Sequence, residues 1–172
     1  MSHELDEPRG RRSPTADELR AWRAFIETSE RVKSVVAAQL QAEAELSTGD
    51  YAVMLALFEH PSRCLRSSQL ADRINWERSR LSHHIGRMER RGLVTRQTAE
   101  GDSRGAVVTL TDVGARLFRR ASPAHLRVIH SAFVSALSPE QLAAVEDAML
   151  TLQAHLGAHK ADADSDAPEG RR

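Results

Sequence analysis

The amino-acid sequence predicts a mainly α-helical (α+β) fold, in which a winged helix-turn-helix lobe lies between long N- and C-terminal helices. Three observations support this prediction. The composition is rich in Ala, Leu, Arg and Glu and contains only 4% aromatic residues, as is typical of helical proteins. Residues 67–91 show two short amphipathic helical patterns separated by a tight turn. Residues 93–110 show two strand-like runs around a charged, turn-rich tip.

Composition and charge restrict the classes of function. The chain has 172 residues and a formal net charge of zero, but the segment from Arg63 to Arg104 contains ten arginines and five acidic residues, a local net charge of +5. A basic segment on a neutral protein is typical of a site-specific nucleic-acid binder. The N-terminus lacks the apolar core of a signal peptide, and no apolar run is long enough to span a membrane. The sequence therefore predicts a cytoplasmic protein without membrane contact.

The sequence predicts one folded domain, residues 15–159, between two polar tails. Residues 1–14 and 160–172 are nearly free of large apolar residues, and we expect them to be disordered. Within the folded domain we expect a lobe over about residues 50–110 and long helical regions over about residues 15–45 and 111–159.

Two helices are expected before the helix-turn-helix. The first runs from about Thr15 to Glu45, with Ser13 or Thr15 as its N-cap and Pro14 in its first turn. Its apolar stripe follows three-four spacing. The members of the stripe are Leu19, Trp22, Ile26, Val36 and Leu40, widened by Phe25, Val32 and Val35. The second, from about Asp50 to Glu59, is strongly apolar and expected to be buried, and it ends before Pro61.

The helix-turn-helix itself is predicted between residues 67 and 92. Ser67 or Ser68 caps its first helix, and Asn75 occupies the sharp turn because Asn tolerates the left-handed backbone conformation. Trp76 then either fills the space between the helices or lies on the surface, and burial of its large ring favours the former. The second helix runs from about Glu77 to Arg91 and ends at Gly92.

Long helices are expected after the strands. One starts at Thr111-Asp112, and Pro123 is expected to break or kink it. Another starts at Ser138, which is followed by Pro139 and by Gln141 three residues after the cap. Its apolar seam suits packing on another helix and consists of Leu142, Val145, Met149, Leu152 and Leu156. The terminal helices either pack on their own domain or form a homodimer interface, and their length favours dimerisation helices.

The second helix of the motif has a polar face suited to the DNA major groove. With Leu81, Ile85 and Met88 placed inward, the opposite face carries short hydroxyls, a glycine and long donors. These residues are Ser79, Ser82, His83, Gly86 and Arg90, flanked by Arg80 and Arg87. Arg104, at the tip between the strands, is placed to enter the minor groove, with Asp102 orienting its guanidinium. The alternatives are a solvated helix face and an exposed loop with a weak ion pair.

The run LADRINWERSRLSHHIGRMERRGLV, the tip Asp102-Ser103-Arg104 and the run VVTLTDVG resemble the MarR family of bacterial transcription regulators. The resemblance extends over about residues 19–156. It implies a homodimer with one winged helix DNA-binding lobe per protomer, which binds palindromic double-stranded promoter DNA, usually as a repressor, and is often released by a small anionic or phenolic ligand. Carried over by position, the base-reading residues are Ser79, Arg80, Ser82 and His83, and the wing arginine is Arg104. The chain departs from the family at Asn75-Trp76, where many members have Gly and a small aliphatic residue.

The resemblance places the effector cleft between the dimerisation helices and the DNA-binding lobe. Residues that could line this cleft are Trp22, Arg23, Tyr51 and Met54: Arg23 would hold an anion between the aromatic walls of Trp22 and Tyr51. The alternative is that Trp22 and Met54 are ordinary core residues.

Other modes of sensing, and other classes of protein, are less well supported. The single cysteine, Cys64, excludes an intrachain disulfide and either is a redox sensor or is simply buried. His155 and His159 lie one helical turn apart and form at most half of a zinc site, while His83-His84 needs no explanation beyond the DNA-facing helix. A redox- or metal-responsive regulator and an effector-independent DNA-binding protein therefore remain as alternatives. No nucleophile–base set or phosphate loop is present, so neither an enzyme nor a cofactor is predicted.

Overall fold

The computed structural model describes residues 13–98 and 106–165. Its elements in chain order are α1 (Ala16–Ala44), α2 (Thr48–Phe58), β1 (Cys64–Arg66), α3 (Ser67–Arg73), α4 (Arg78–Arg90), β2 (Val94–Thr98), β3 (Ala106–Leu110), α5 (Asp112–Ala132), a short 3₁₀ turn (Val134–Ala136) and α6 (Pro139–Ser165). The chain forms two compact units, with the boundary inside α5 between Leu126 and Arg127. None of the helices in the described part of the chain is long and apolar enough to cross a lipid bilayer.

Helix α1 begins at the predicted cap and is mostly exposed. The side chain of Thr15 accepts a hydrogen bond from the Glu18 backbone N–H, and the Glu18 carboxylate accepts from the Thr15 backbone N–H, which is a capping box. The helix ends at Glu45, which adopts the left-handed conformation (φ 52°). Of its residues only Leu40 and Ala44 are buried. The predicted apolar stripe is therefore largely on the surface of the first unit.

Helix α2 forms the centre of the core, as predicted, but starts earlier than expected. Ser47 is its N-cap and Asp50 is its third residue. The two form a capping box, in which each side chain accepts a hydrogen bond from the backbone N–H of the other residue. The helix therefore starts at Thr48, before the predicted start at about Asp50. The core around α2 is a single cluster whose largest fully buried members are Leu40, Leu46, Val53, Met54, Leu57, Leu70, Leu81, Ile85, Met88, Val94 and Val108.

The helix-turn-helix is formed by α3 and α4. Asn75 has a φ of 51°, which confirms the left-handed turn. Trp76 is half-buried and packs against the core, so its ring does not lie free on the surface. The predicted cap was wrong: α3 includes Ser67, whose hydroxyl donates to the Ala106 carbonyl on β3 (3.0 Å). The cap position belongs to Arg66, whose backbone N–H donates to the side chain of Gln69.

The sheet has three antiparallel strands in the order β1-β3-β2, and not the two that the sequence predicts. Strand β3 pairs with β2 from Val94 opposite Leu110 to Thr98 opposite Ala106. It also pairs on its other edge with the short β1, which the sequence reading missed. Gly92 links α4 to β2 with a φ of 69°, as predicted for a residue that ends a helix. The sheet thus anchors the chain on both sides of the helix-turn-helix.

The last helices are longer than the sequence predicts. Helix α5 continues through Pro123, so of the two predicted effects, a break or a kink, the break is wrong. Arg119, whose carbonyl loses its helical partner at Pro123, is exposed, and water can therefore satisfy it. Helix α6 starts with the predicted reciprocal bonds between Ser138 and Gln141 and continues to Ser165. Residues 160–165 are consequently helical, and the rest of the predicted C-terminal tail lies outside the described residues, as do residues 1–12.

Candidate nucleic-acid interface

Helix α4 separates an apolar seam from a polar face as the sequence predicts. Leu81, Ile85 and Met88 are at most 1% exposed and fix the helix on the core. The opposite face is solvent-exposed at Ser79, Arg80, Ser82, His83 and Arg87. At Gly86, on the same face, an added Cβ would meet only the Arg90 guanidinium, at 3.9 Å. The polar face is therefore free of steric obstruction along the middle of the helix.

The N-terminal end of this face is organised by Trp76. The Arg80 guanidinium carbon lies 4.2 Å from the centroid of the indole ring, which is a cation–π contact. The indole itself packs over Gly49, where a Cβ would come within 2.7 Å of the ring. The indole ring of Trp76, which packs against the core, thus holds the Arg80 guanidinium near the start of α4.

A shallow groove runs beside the polar face and adds arginines that the sequence reading did not single out. It has a volume of about 260 Å³ and lies between α3, α4 and the sheet. Arg78 and Arg96 line it, together with Ser67, Ser68, Leu81, Ser82, Ile85 and Ala106. Arg96 reaches from β2 to the Ser82 hydroxyl (3.5 Å), and its backbone N–H donates to the Glu89 carboxylate (3.1 Å). The strand therefore extends the cationic surface next to α4.

The predicted wing contacts lie outside the described residues. Asp102 and Arg104 belong to residues 99–105, so the structure does not place them. The base of the hairpin is described: the Thr111 hydroxyl lies 2.7 Å from the Gly92 carbonyl and 3.0 Å from the Leu93 carbonyl. This clamp holds the start of β2 against the end of β3.

A buried polar cluster beneath α4 was missed by the sequence reading. His84 is 7% exposed, and its Nε2 lies 3.0 Å from Asp50 Oδ1 at the start of α2. The His84 Nδ1 lies 2.7 Å from Arg87 Nη2, and Arg91 Nη1 donates to Asp50 Oδ2 (2.8 Å). The expectation that His83-His84 is explained by the DNA-facing helix alone is therefore wrong for His84, whereas His83 is exposed and its contact with DNA stays a prediction.

The carboxylate at the centre of this cluster is held in its charged form. Burial favours the neutral form and raises the pKa of Asp50. The close contact with His84 and the hydrogen bonds from the Ser47 backbone N–H and Arg91 outweigh this effect and hold the pKa well below its usual range. Asp50 is 5% exposed, so its charge is compensated by these donors and not by water.

The four residues proposed for an effector cleft have very different environments. Trp22 is 59% exposed on α1, where it contacts Phe25, and Arg23 is also exposed. Tyr51 and Met54 are buried in the core. Trp22 is thus not a core residue, whereas Met54 is.

Tyr51 has a neighbour that the sequence reading did not identify. Its ring centroid lies 4.0 Å from that of His125 on α5, and its hydroxyl donates to the Ser122 hydroxyl (3.2 Å). His125 is 9% exposed, and its Nδ1 is buried without a hydrogen-bond partner among the described residues. Burial lowers the pKa of His125, which keeps the ring neutral.

A separate, wider cavity of about 800 Å³ lies in the first unit and includes none of these four residues. Three arginines line it, Arg91, Arg116 and Arg120, opposite the C-terminal residues of α1. Glu43 and Glu45 contribute acidic groups to the same wall, so the cavity has mixed charge.

The structure describes most of the residues considered for redox or metal sensing. Cys64 is half-buried on β1, and its Sγ lies 3.1 Å from the Ser62 hydroxyl, which in turn lies 2.8 Å from His60 Nδ1. His155 lies on α6, and the side chain of His159 falls outside the part of the chain that is described. Within the described ranges, no three His, Cys, Asp or Glu side chains are grouped so as to hold a metal ion.

Comparison with known proteins gives a consistent result. A family model described as the MarR family matches residues 45–105. The crystal structure of AbsC, a MarR family transcriptional regulator from Streptomyces coelicolor, is 32% identical, covers 86% of this chain and 99% of its own, and has a TM-score of 0.80. A second MarR family regulator from the same organism, solved in complex with DNA, is 34% identical, covers 83% of this chain and 90% of its own, and also has a TM-score of 0.80.

A shorter match links the chain to an organic hydroperoxide resistance transcriptional regulator of Bacillus subtilis. The two are 32% identical over 71 residues, which is 41% of this chain and 47% of the relative. The chain therefore matches about half the length of this curated relative.

Proposed function

The chain belongs to the MarR family of transcriptional regulators, and from this premise we propose that it is a homodimeric repressor that binds a palindromic operator. Members of the family are DNA-binding transcription factors and not enzymes. We further propose that a small anionic or phenolic ligand releases it from DNA.

The polar face of α4 is the observation that carries the proposal. Short hydroxyls at Ser79 and Ser82 allow close approach to base edges, and His83 and Arg87 supply hydrogen-bond donors. Arg80, steadied on Trp76, would contact base or phosphate at the helix start. Arg104 on the hairpin tip would enter the adjacent minor groove.

The exposed apolar residues of the long helices support a dimer. On α1 these are Leu19, Trp22, Phe25, Ile26 and Val35; on α6 they are Val145, Met149, Leu150, Leu152 and Leu156. Repeated exposed large apolar side chains along one helix favour a protein–protein interface. A two-fold dimer would place two copies of α4 at half-sites about one helical turn of DNA apart, which is why a palindromic operator is expected.

The aromatic and polar groups near Tyr51 support a ligand site. His125 Nδ1 is a buried hydrogen-bonding group without a described partner, and such a group gains free energy when a ligand satisfies it. Trp22 and Arg23 on α1 and Tyr51 and Met54 on α2 remain the proposed lining. An anionic or phenolic compound would fit this combination of aromatic rings and hydrogen-bond donors.

Fluorescence anisotropy with the DNA upstream of the gene tests the DNA-binding part of the proposal. We expect tighter binding to this duplex than to a scrambled one. Arg80→Ala and Arg104→Ala should each weaken binding by about 1–3 kcal/mol, and loss of a phosphate contact should lower the salt slope by about one. Arg20→Ala is the matched control, since Arg20 forms an exposed ion pair with Asp17 on α1. Equal affinity of all four proteins would contradict the assignment.

A further inference from the structure

A series of polar contacts from the buried Asp50 through the buried His84 to Arg87 links the core to the polar face of α4. Asp50 lies at the start of α2, His84 lies on the buried side of α4, and Arg87 is exposed one turn further along. The two links measure 3.0 Å from Asp50 Oδ1 to His84 Nε2 and 2.7 Å from His84 Nδ1 to Arg87 Nη2. A charged core group is thus connected to a residue that we propose contacts DNA.

The direction of these hydrogen bonds follows from the chemistry of the groups. A guanidinium has donors only, so His84 Nδ1 must accept from Arg87. The ring proton then resides on Nε2, which faces Asp50 Oδ1 at 3.0 Å. Nε2 has no aligned hydrogen-bond partner among the described residues, so the carboxylate attracts the ring that holds the arginine by its charge.

The carboxylate end of the chain is rigidly fixed. Asp50 Oδ2 accepts from the Ser47 backbone N–H (2.9 Å) and from Arg91 (2.8 Å). Arg91 also donates to the Glu45 carbonyl at the end of α1 (2.6 Å). Arg91, directly after α4, therefore joins the Asp50 carboxylate in the first turn of α2 to the Glu45 carbonyl at the C-cap of α1.

The imidazole is also held from the side. Trp76 contacts it edge-on, with ring centroids 5.1 Å apart and an interplanar angle of 84°. A Cβ at Gly49 would lie 2.9 Å from His84 Cε1, so only glycine leaves room for both rings. Because the ring cannot turn without displacing these neighbours, the position of Nδ1 is set by the core.

We propose that Asp50 and His84 are positioning residues that hold the Arg87 guanidinium in place for a phosphate or base of the operator. This inference rests on the proposed function, since it takes Arg87 to be a DNA contact. A free arginine loses side-chain entropy when it binds, and one that is already held loses less. The core contacts of His84 therefore increase DNA affinity without themselves touching DNA.

Operator binding by single and double variants tests this role. Asp50→Asn and His84→Gln should each weaken binding about three- to tenfold, the size expected for one hydrogen bond. Neither should weaken it further in an Arg87→Gln background, because the effect passes through Arg87. Glu59→Gln is the matched control: it removes a carboxylate at the end of α2 that pairs with the exposed Arg73, and binding should not change.

Each outcome of this experiment is decisive. Wild-type affinity of both single variants would overturn the proposal, as would equal losses with and without Arg87, which would mean that the substitutions disturb α4 as a whole. If Asp50→Asn does not fold, His84→Gln carries the test, since it leaves the Asp50 bonds to Ser47 and Arg91 in place. Failure of the wild-type protein to prefer its upstream DNA would instead refute the proposed function, and the positioning role would fall with it.

Discussion

Substitution of Gly114 by alanine should destabilise the protein, although the same change stabilises most helices. Gly114 lies in the first turn of α5, where alanine would ordinarily gain about 1 kcal/mol of helix propensity. A Cβ at this position would overlap the backbone carbonyl oxygen of Leu93 and lie 2.8 Å from Leu110 Cδ1. The start of α5 would have to move by roughly 1 Å in a close-packed region to relieve the overlap.

That movement determines the size of the effect. The Leu93 carbonyl accepts from the Thr111 backbone N–H (3.1 Å), so moving α5 weakens this bond and the hydroxyl clamp beside it. Overpacking costs about 1–3 kcal/mol, and each weakened hydrogen bond adds about 1 kcal/mol. When the gain in helix propensity is subtracted, we expect a net loss of about 1–3 kcal/mol in the free energy of unfolding. Each kcal/mol lost should lower the Tm by about 2–4 °C.

Urea and thermal denaturation at one fixed protein concentration measure this change. Gly86→Ala is the matched control, because the nearest atom to its Cβ is a flexible arginine end 3.9 Å away. It should stabilise the protein by up to about 1 kcal/mol. If Gly114→Ala were as stable as the wild type or more so, the close packing of α5 on the base of the hairpin would be refuted.

Three further predictions concern pH and assembly. Because the pKa of Asp50 is lowered in the folded state, its charge stabilises the protein above the unfolded pKa of about 3.9. In denaturation experiments, the difference in unfolding free energy between the wild type and Asp50→Asn should shrink as the pH falls below this value. A difference that stays constant would contradict this prediction. Because burial lowers the pKa of His125, the unfolded chain binds a proton more readily than the folded one, and the free energy of unfolding should fall as the pH drops below about 6.5. His125→Gln should reduce the slope of this free energy against pH. An unchanged slope would exclude His125 as its cause. Trp22→Glu combined with Phe25→Glu should shift the protein towards monomer in sedimentation experiments. The control Lys33→Glu, at an exposed residue that forms an ion pair with Glu30, should leave the dimer intact. A dimer that withstands the double substitution would place the interface elsewhere.

Local patterns were sufficient to predict the helix-turn-helix. The apolar seam of α4 follows from helical periodicity, since residues three and four apart share a face and Leu81, Ile85 and Met88 are all buried. The turn at Asn75 follows from the ability of asparagine to adopt a positive φ. Such signals depend only on residues close in sequence.

The features that the sequence reading missed depend on partners far away in the chain. Strand β1 has three residues, and its pairing exists because β3 supplies the partner edge. The hydroxyl of Ser67 bonds to Ala106 instead of capping its own helix. A reader of the sequence has no local signal for either contact.

His84 is a different case, because a local signal was present. It lies three residues after Leu81 and four before Met88, and helical periodicity therefore places it on the buried face. The pattern Ser47-Thr48-Gly49-Asp50 is likewise a capping-box signature that predicts a helix start before Asp50. The meeting of Asp50 with His84 could not be predicted, since it depends on how α2 packs against α4.

Hydroxyl-radical footprinting on the DNA upstream of the gene tests the central claim most directly. A dimer that reads DNA with two copies of α4 predicts two protected regions related by two-fold symmetry, with centres about one helical turn (10–10.5 base pairs) or a multiple of it apart. Arg80→Ala should weaken both regions equally. A single protected region, or protection that is the same on a scrambled duplex, would contradict the account.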